Sequence, residues 1–165
     1  MGILPEYIHM LAVIRPTGFL DLLALADKAG IPRGSIAPGA ACVIILALTA
    51  WCVLAHGRGR ELLSLSLLAF LSYVVFFHHI YDLIVLVFPL TFLFTPERHD
   101  RPAVSALLVA TVVLTWFLEK PVYVLRHQYP GTTTEMVYVG YYWTTVATFY
   151  ASAIAVGLAL VRRTH

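Results

Sequence analysis

Ile36-Ala-Pro-Gly-Ala-Ala-Cys-Val-Ile-Ile-Leu-Ala-Leu-Thr-Ala-Trp-Cys-Val-Leu-Ala55 is an apolar run with no charged side chain. About 20 such residues make a helix long enough to cross a bilayer's hydrocarbon core. A helix is the form expected there, because it satisfies its own backbone hydrogen bonds where water is absent. Working outward, similar runs occupy residues 62–77, 80–94, 103–118 and 141–161. Of these only the last matches the first in length. The runs at 62–77 and 80–94 are short and separated only by His78-His79. They read as a tight hairpin of two short helices, or as a broken or re-entrant pair. The expected fold is therefore all-α: a polytopic transmembrane helix bundle of about five spans. Residues 1–35 form an outer-face lead-in and residues 36–165 one transmembrane region.

Composition agrees. Of 165 residues, 60% are hydrophobic and 12% charged, against about 25% charged in soluble domains. A net charge of +2 and the lack of a basic stripe give no nucleic-acid footprint. No zinc-finger, Walker or dinucleotide-binding motif is present. The chain contains no asparagine, hence no N-glycosylation sequon. Cys42 and Cys52 stand about 15 Å apart on one helix, too far for a disulfide. Residues 1–10 include Pro5 and Glu6 and lack the basic start and apolar core of a signal peptide.

Basic residues give the orientation. With five alternating spans, Arg58, Arg60, Arg98, Arg101, Arg162 and Arg163 fall on one side, which the positive-inside rule makes cytoplasmic. The opposite side receives residues 1–35, the His78-His79 turn and a loop over 119–140, together with Arg15, Lys28, Arg33, Lys120 and Arg126. Residues 17–29 alternate Phe19, Leu20, Leu22, Leu23, Leu25 and Ala26 with Asp21, Asp27 and Lys28. That pattern predicts a short amphipathic helix on the outer surface, stopped by Gly30 and Pro32; a plain lead-in to the first span is the alternative. The loop is rich in Tyr123, Tyr129 and Tyr138, followed by Tyr141, Tyr142 and Trp143. It reads as an interfacial aromatic belt or as a lip facing a substrate.

The candidate site is His78-His79-Ile80-Tyr81-Asp82. Asp82 is the only Asp, Glu, Lys or Arg between Leu62 and Thr95, and a carboxylate at mid-membrane costs roughly 2.5–3.5 kcal/mol on insertion scales. On a helix, His78 and His79 reach Asp82 at four and three residues' spacing. Such a contact orients the ring and favours its charged form. The cluster could hold a hairpin tip together. It could bind a metal, though adjacent histidines diverge by about 100° on a helix and no second ligand set lies nearby. It could also contact a phosphate-bearing lipid through histidine and tyrosine donors. A proton relay in a small transporter is a further alternative.

Phe77-His78-His79-Ile80-Tyr81-Asp82-Leu83 with Pro89 downstream resembles the His-x-x-Tyr-Asp-Leu run of bacterial GT-C glycosyltransferases of family 87, formerly DUF2029. Gly18–Asp27 resembles the segment before that family's late helices, with Pro16-Thr17-Gly18-Phe19 where members often have an Asn-x-Ser-Leu-like start. The resemblance covers about residues 15–95. It implies a bacterial inner-membrane hexosyltransferase taking a hexose, often mannose, from a polyprenyl-phosphate sugar to a lipid or glycan acceptor outside the cytoplasm. The N-terminus would be extracytoplasmic and the C-terminus cytoplasmic. No cofactor or metal is expected, and the resemblance points to substrate contacts from His78, His79, Tyr81 and Asp82. Arg126 joins these or lies on plain surface, as do His127 and Tyr129. Members are much longer and place an acidic base in an early outer loop. The chain is thus expected to be a C-terminal portion without transfer activity by itself.

Overall fold

A computed structural model describes residues 22–32, 35–75, 86–95 and 101–162. These residues are almost entirely helical and include no strand. The helices are α1 (Leu22–Lys28), α2 (Ile36–His56), α3 (Glu61–Val75), α4 (Val87–Phe92), α5 (Pro102–Val112), α6 (Glu119–Gln128) and α7 (Thr132–Val161). A π-helical segment, Val113–Phe117, continues α5.

Among the described residues two helices, α2 and α7, are long and apolar enough to cross a membrane; α5 with its π segment and α6 make a third if that bent pair is one span. The expected runs at 36–55 and 141–161 are therefore present as helices. α3 has 15 residues, about 22 Å of helix, which is short of a hydrocarbon core about 30 Å thick. Of the run at 80–94, only the residues from Leu86 onward are described, with α4 as a short helix. Five spans are not established.

α7 is the centre of the bundle. It packs against α2, α3, α5 and α6. Its buried residues Tyr142, Thr145, Val146, Phe149, Ser152, Val156, Ala159 and Leu160 recur at spacings of mostly three and four, the mark of one helical stripe. Phe149 is 0% exposed. Its ring meets Phe70 edge-on at 4.9 Å and Tyr73 at 5.8 Å between centroids. α2 is the opposite case. Only 11% of its most apolar window is buried, against 39% for α7. Ile36 and Leu54 are 85% and 81% exposed, and Val43, Ile44 and Trp51 also face outward. An apolar surface of this extent marks contact with lipid or a partner.

Local sequence explains the breaks. Gly30 has φ +76°, and the Ile31 N–H reaches back to the Ala26 carbonyl at 2.9 Å, a glycine-terminated helix end. The expected amphipathic helix is thus present over Leu22–Lys28, and its earlier part lies outside the described residues. Ser35 caps α2 by accepting from the Ala37 N–H at 3.3 Å. Pro102 opens α5, where its missing N–H costs nothing. The loop expected over residues 119–140 is a correction: it is helical as α6 and as the first turns of α7. Pro121 falls in the first turn of α6, where a helix tolerates it. Glu135 lies in the first turn of α7, where a negative charge suits the helix dipole.

The α5–α7 interface carries a polar seam. Thr111 Oγ1 and Ser152 Oγ lie 2.7 Å apart. Ser152 also donates to the Leu107 carbonyl at 3.1 Å and the Thr148 carbonyl at 2.8 Å. The Tyr141 hydroxyl donates to the Leu114 carbonyl, inside the π segment, at 2.7 Å. Short hydroxyl side chains let helices approach closely in an apolar surrounding, where packing and interhelical hydrogen bonds replace the hydrophobic drive.

Candidate functional site

His78, His79, Tyr81 and Asp82 lie outside the described residues. The helices on either side of them, α3 and α4, pack on each other. Arg126 is described, on α6, and it belongs to a cluster at the N-terminal end of α7. Its Nε donates to Glu135 Oε1 at 2.7 Å. Its guanidinium lies over the Tyr138 ring, 4.1 Å from the centroid. From α1, Lys28 Nζ lies over the Tyr142 ring at 3.4 Å. A cation over an aromatic face is attracted by the ring's negative quadrupole. The cluster thus joins two cations from two helices to two rings one turn apart on a third.

The electrostatics fit. Partial burial, and then the positive charge of Arg126, hold the Lys28 ammonium below its ordinary value. The two cations therefore feel each other, an arrangement that an anion between them would relieve. The hydrogen bond that Arg126 donates to Glu135 is the chief reason its guanidinium is held still more firmly charged. Both partners of that ion pair are exposed, so it orients Arg126 more than it stabilises the fold. Tyr123, Tyr129 and Trp143 stand exposed around the cluster, as an interfacial belt would.

The other end of α7 is built from arginines. Its last carbonyls have no intrahelical partner. Arg60 Nη1 donates to the carbonyls of Leu160 at 2.7 Å, Arg162 at 2.9 Å and Ala159 at 3.3 Å. Arg101 Nη1 donates to Ala159 at 2.6 Å. Arginines from two separate loops thus close one helix end, where cations also suit the dipole. The loop carrying Arg60 is shaped by glycines. The Arg60 N–H bonds the Gly57 carbonyl at 3.0 Å, and Gly59 takes φ +71°, as the third residue of a type II turn requires. Gly57 is closely hemmed. A Cβ there would collide with the Val53 carbonyl oxygen and sit 2.7 Å from Ser64 Oγ. Gly57→Ala is expected to cost about 1–3 kcal/mol, read as a lower melting temperature of the detergent-purified protein.

Tyr142 and Leu160 are about 27 Å apart along α7, close to the thickness of a hydrocarbon core. The Lys28–Arg126 cluster and the arginine-closed end are thus separated by about the thickness of a hydrocarbon core. Sequence reading named Arg126 but missed Lys28, Tyr138 and Tyr142 as its companions. The available signal was the end of the amphipathic helix at Lys28 and the tyrosine run after Tyr138. Neither Cys42 nor Cys52 is in a disulfide.

Comparison of the chain with models of protein families, with curated proteins and with solved structures finds no match.

Proposed function

We propose that this chain is part of an extracytoplasmic hexosyltransferase system and binds the phosphate of a polyprenyl-phosphate sugar donor at the Lys28–Arg126 cluster. The acceptor is a lipid or a glycan. The observation that supports this reading is the convergence of Lys28 and Arg126 over Tyr142 and Tyr138, about one membrane thickness from the arginine-closed end of α7. Lys28 and Arg126, less the Glu135 carboxylate already paired with Arg126, leave one net positive charge to meet the single negative charge of a phosphodiester, and an arginine fork matches phosphate oxygens. Exposed rings beside them suit a sugar face or the first isoprene units. The His78-His79-Ile80-Tyr81-Asp82 run supplies the resemblance on which the sugar-transfer part rests. In transfer, the acceptor hydroxyl gives its proton to a carboxylate base that the resemblance places elsewhere in the system, its oxygen attacks the anomeric carbon, and the bond from that carbon to the phosphate oxygen breaks, releasing polyprenyl phosphate. Cationic side chains stabilise the charge left on the phosphate.

Undecaprenyl phosphate and undecaprenol, each titrated into the protein in nanodiscs, test the reading by tryptophan fluorescence, since Trp143 packs 5.2 Å from Tyr142. The phosphate is expected to bind at least ~10-fold more tightly, and Lys28→Gln with Arg126→Gln to remove that margin. Equal binding of the alcohol and the phosphate would overturn the reading.

A further inference from the structure

Three helices leave an apolar groove of about 320 Å³ between them, lined by Thr49 and Cys52 of α2, Leu67 and Phe70 of α3, and Ala153 and Gly157 of α7 among others. Its α2 lining is Ile45, Leu48, Thr49 and Cys52, the i, i+3, i+4, i+7 stripe of one helix face. The α3 and α7 linings repeat the same spacing. The groove opens sideways, with Leu48 and Ile154 exposed at its edge. A Cβ on Gly157 would touch Leu67 Cδ1 at 3.8 Å, so the glycine keeps that end of the groove clear.

A second hollow, of about 190 Å³, is lined by Ala55, His56, Arg58, Arg60, Leu160 and Val161. Ala55 and His56 are three and four residues beyond Cys52, and Leu160 and Val161 three and four beyond Gly157. The basic hollow is thus one helical turn, about 5 Å, past the end of the apolar groove. Arg58 is exposed, and His56 packs edge-on to Trp51 at 5.4 Å. An apolar channel open to the hydrocarbon and ending in basic side chains at the polar surface matches one kind of molecule: an amphiphile with an anionic head.

We propose that the α2–α3–α7 face binds an anionic glycerophospholipid, its phosphate on the exposed Arg58 at the hollow, where Arg60 already donates to the end of α7, and an acyl chain in the groove. This site lies at the opposite end of α7 from the Lys28–Arg126 cluster and does not depend on the reading of that cluster. Its charge complementarity fixes the occupant: a zwitterionic lipid offers the same chain but no net charge to the hollow. The exposed edge lets the chain enter from the bilayer rather than through the bundle.

Native mass spectrometry of the detergent-purified protein, exchanged against equal phosphatidylglycerol and phosphatidylcholine, reads the site directly. Wild type is expected to retain phosphatidylglycerol preferentially. Arg58→Gln is expected to lower that preference about fivefold and Arg58→Lys to keep most of it. Gly157→Leu, which fills the groove while leaving the basic hollow intact, is expected to reduce retention of both lipids; an unchanged melting temperature shows that the variant is folded. No preference in wild type, a preference untouched by Arg58→Gln, or retention untouched by a folded Gly157→Leu would each overturn the proposal. The Lys28→Gln, Arg126→Gln variant is expected to retain phosphatidylglycerol as wild type does, which separates this site from the other.

Discussion

Phe149→Ala is expected to lower the unfolding free energy by about 3–5 kcal/mol, the usual cost of removing a fully buried phenylalanine. The reason is position. Phe149 is wholly buried on the one helix that contacts most of the others. Its ring holds Phe70 and Tyr73 of α3 edge-on. Apolar lipid offers little hydrophobic drive to bring helices together, so contact and shape carry the association. An alanine leaves a void that neither α3 nor α7 can close without bending. Phe149→Leu keeps much of the volume and is expected to cost under about 1.5 kcal/mol. Reversible unfolding in mixed micelles measures both. A Phe149→Ala cost below that of Phe149→Leu would show that α3 and α7 do not pack through this ring.

The second large effect is at the arginine-closed end. Arg60→Met or Arg101→Met is expected to cost about 2 kcal/mol, the scale of a hydrogen bond involving a charged group. The two share the Ala159 carbonyl as acceptor, so the double variant is expected to cost less than the sum of the singles. Arg60 serves three carbonyls, and lysine cannot reproduce its planar fork. Arg60→Lys should therefore recover only part of the loss. The same micelle measurement decides it: costs below about 0.5 kcal/mol would mean that water satisfies these carbonyls as well as the arginines do.

The sequence made α2 legible because nothing else explains so long a run without charge. Gly30 was legible as a helix end for the same kind of reason: a left-handed residue is needed there, and glycine takes it without strain. The arginine convergence was visible as a topological bias, but not as hydrogen bonds to the end of α7. The helices within residues 119–140 are hard to see in the sequence because the segment holds Pro121, Gly131 and Gly140, residue types that commonly break a helix. Pro121 sits where a proline is harmless. Gly140 costs about 1 kcal/mol against alanine, small beside the packing of a 30-residue helix. The pairing of Lys28 with Tyr142 could not be read at all, because no local spacing links a ring to a cation on a helix so distant in the chain. The cluster His78-His79-Ile80-Tyr81-Asp82, where sequence placed most of the chemistry, lies outside the described residues.

The account rests on α7 carrying its two polar ends on opposite sides of a bilayer. Single cysteines in a background of Cys42→Ala and Cys52→Ala, labelled in intact cells with a membrane-impermeant maleimide, measure this. A cysteine at Tyr129 is expected to label from outside, and one at Arg58 only after the cells are permeabilised. Labelling of both from the same side would contradict a transmembrane α7, and labelling of Arg58→Cys alone from outside would contradict the outward-facing Lys28–Arg126 cluster.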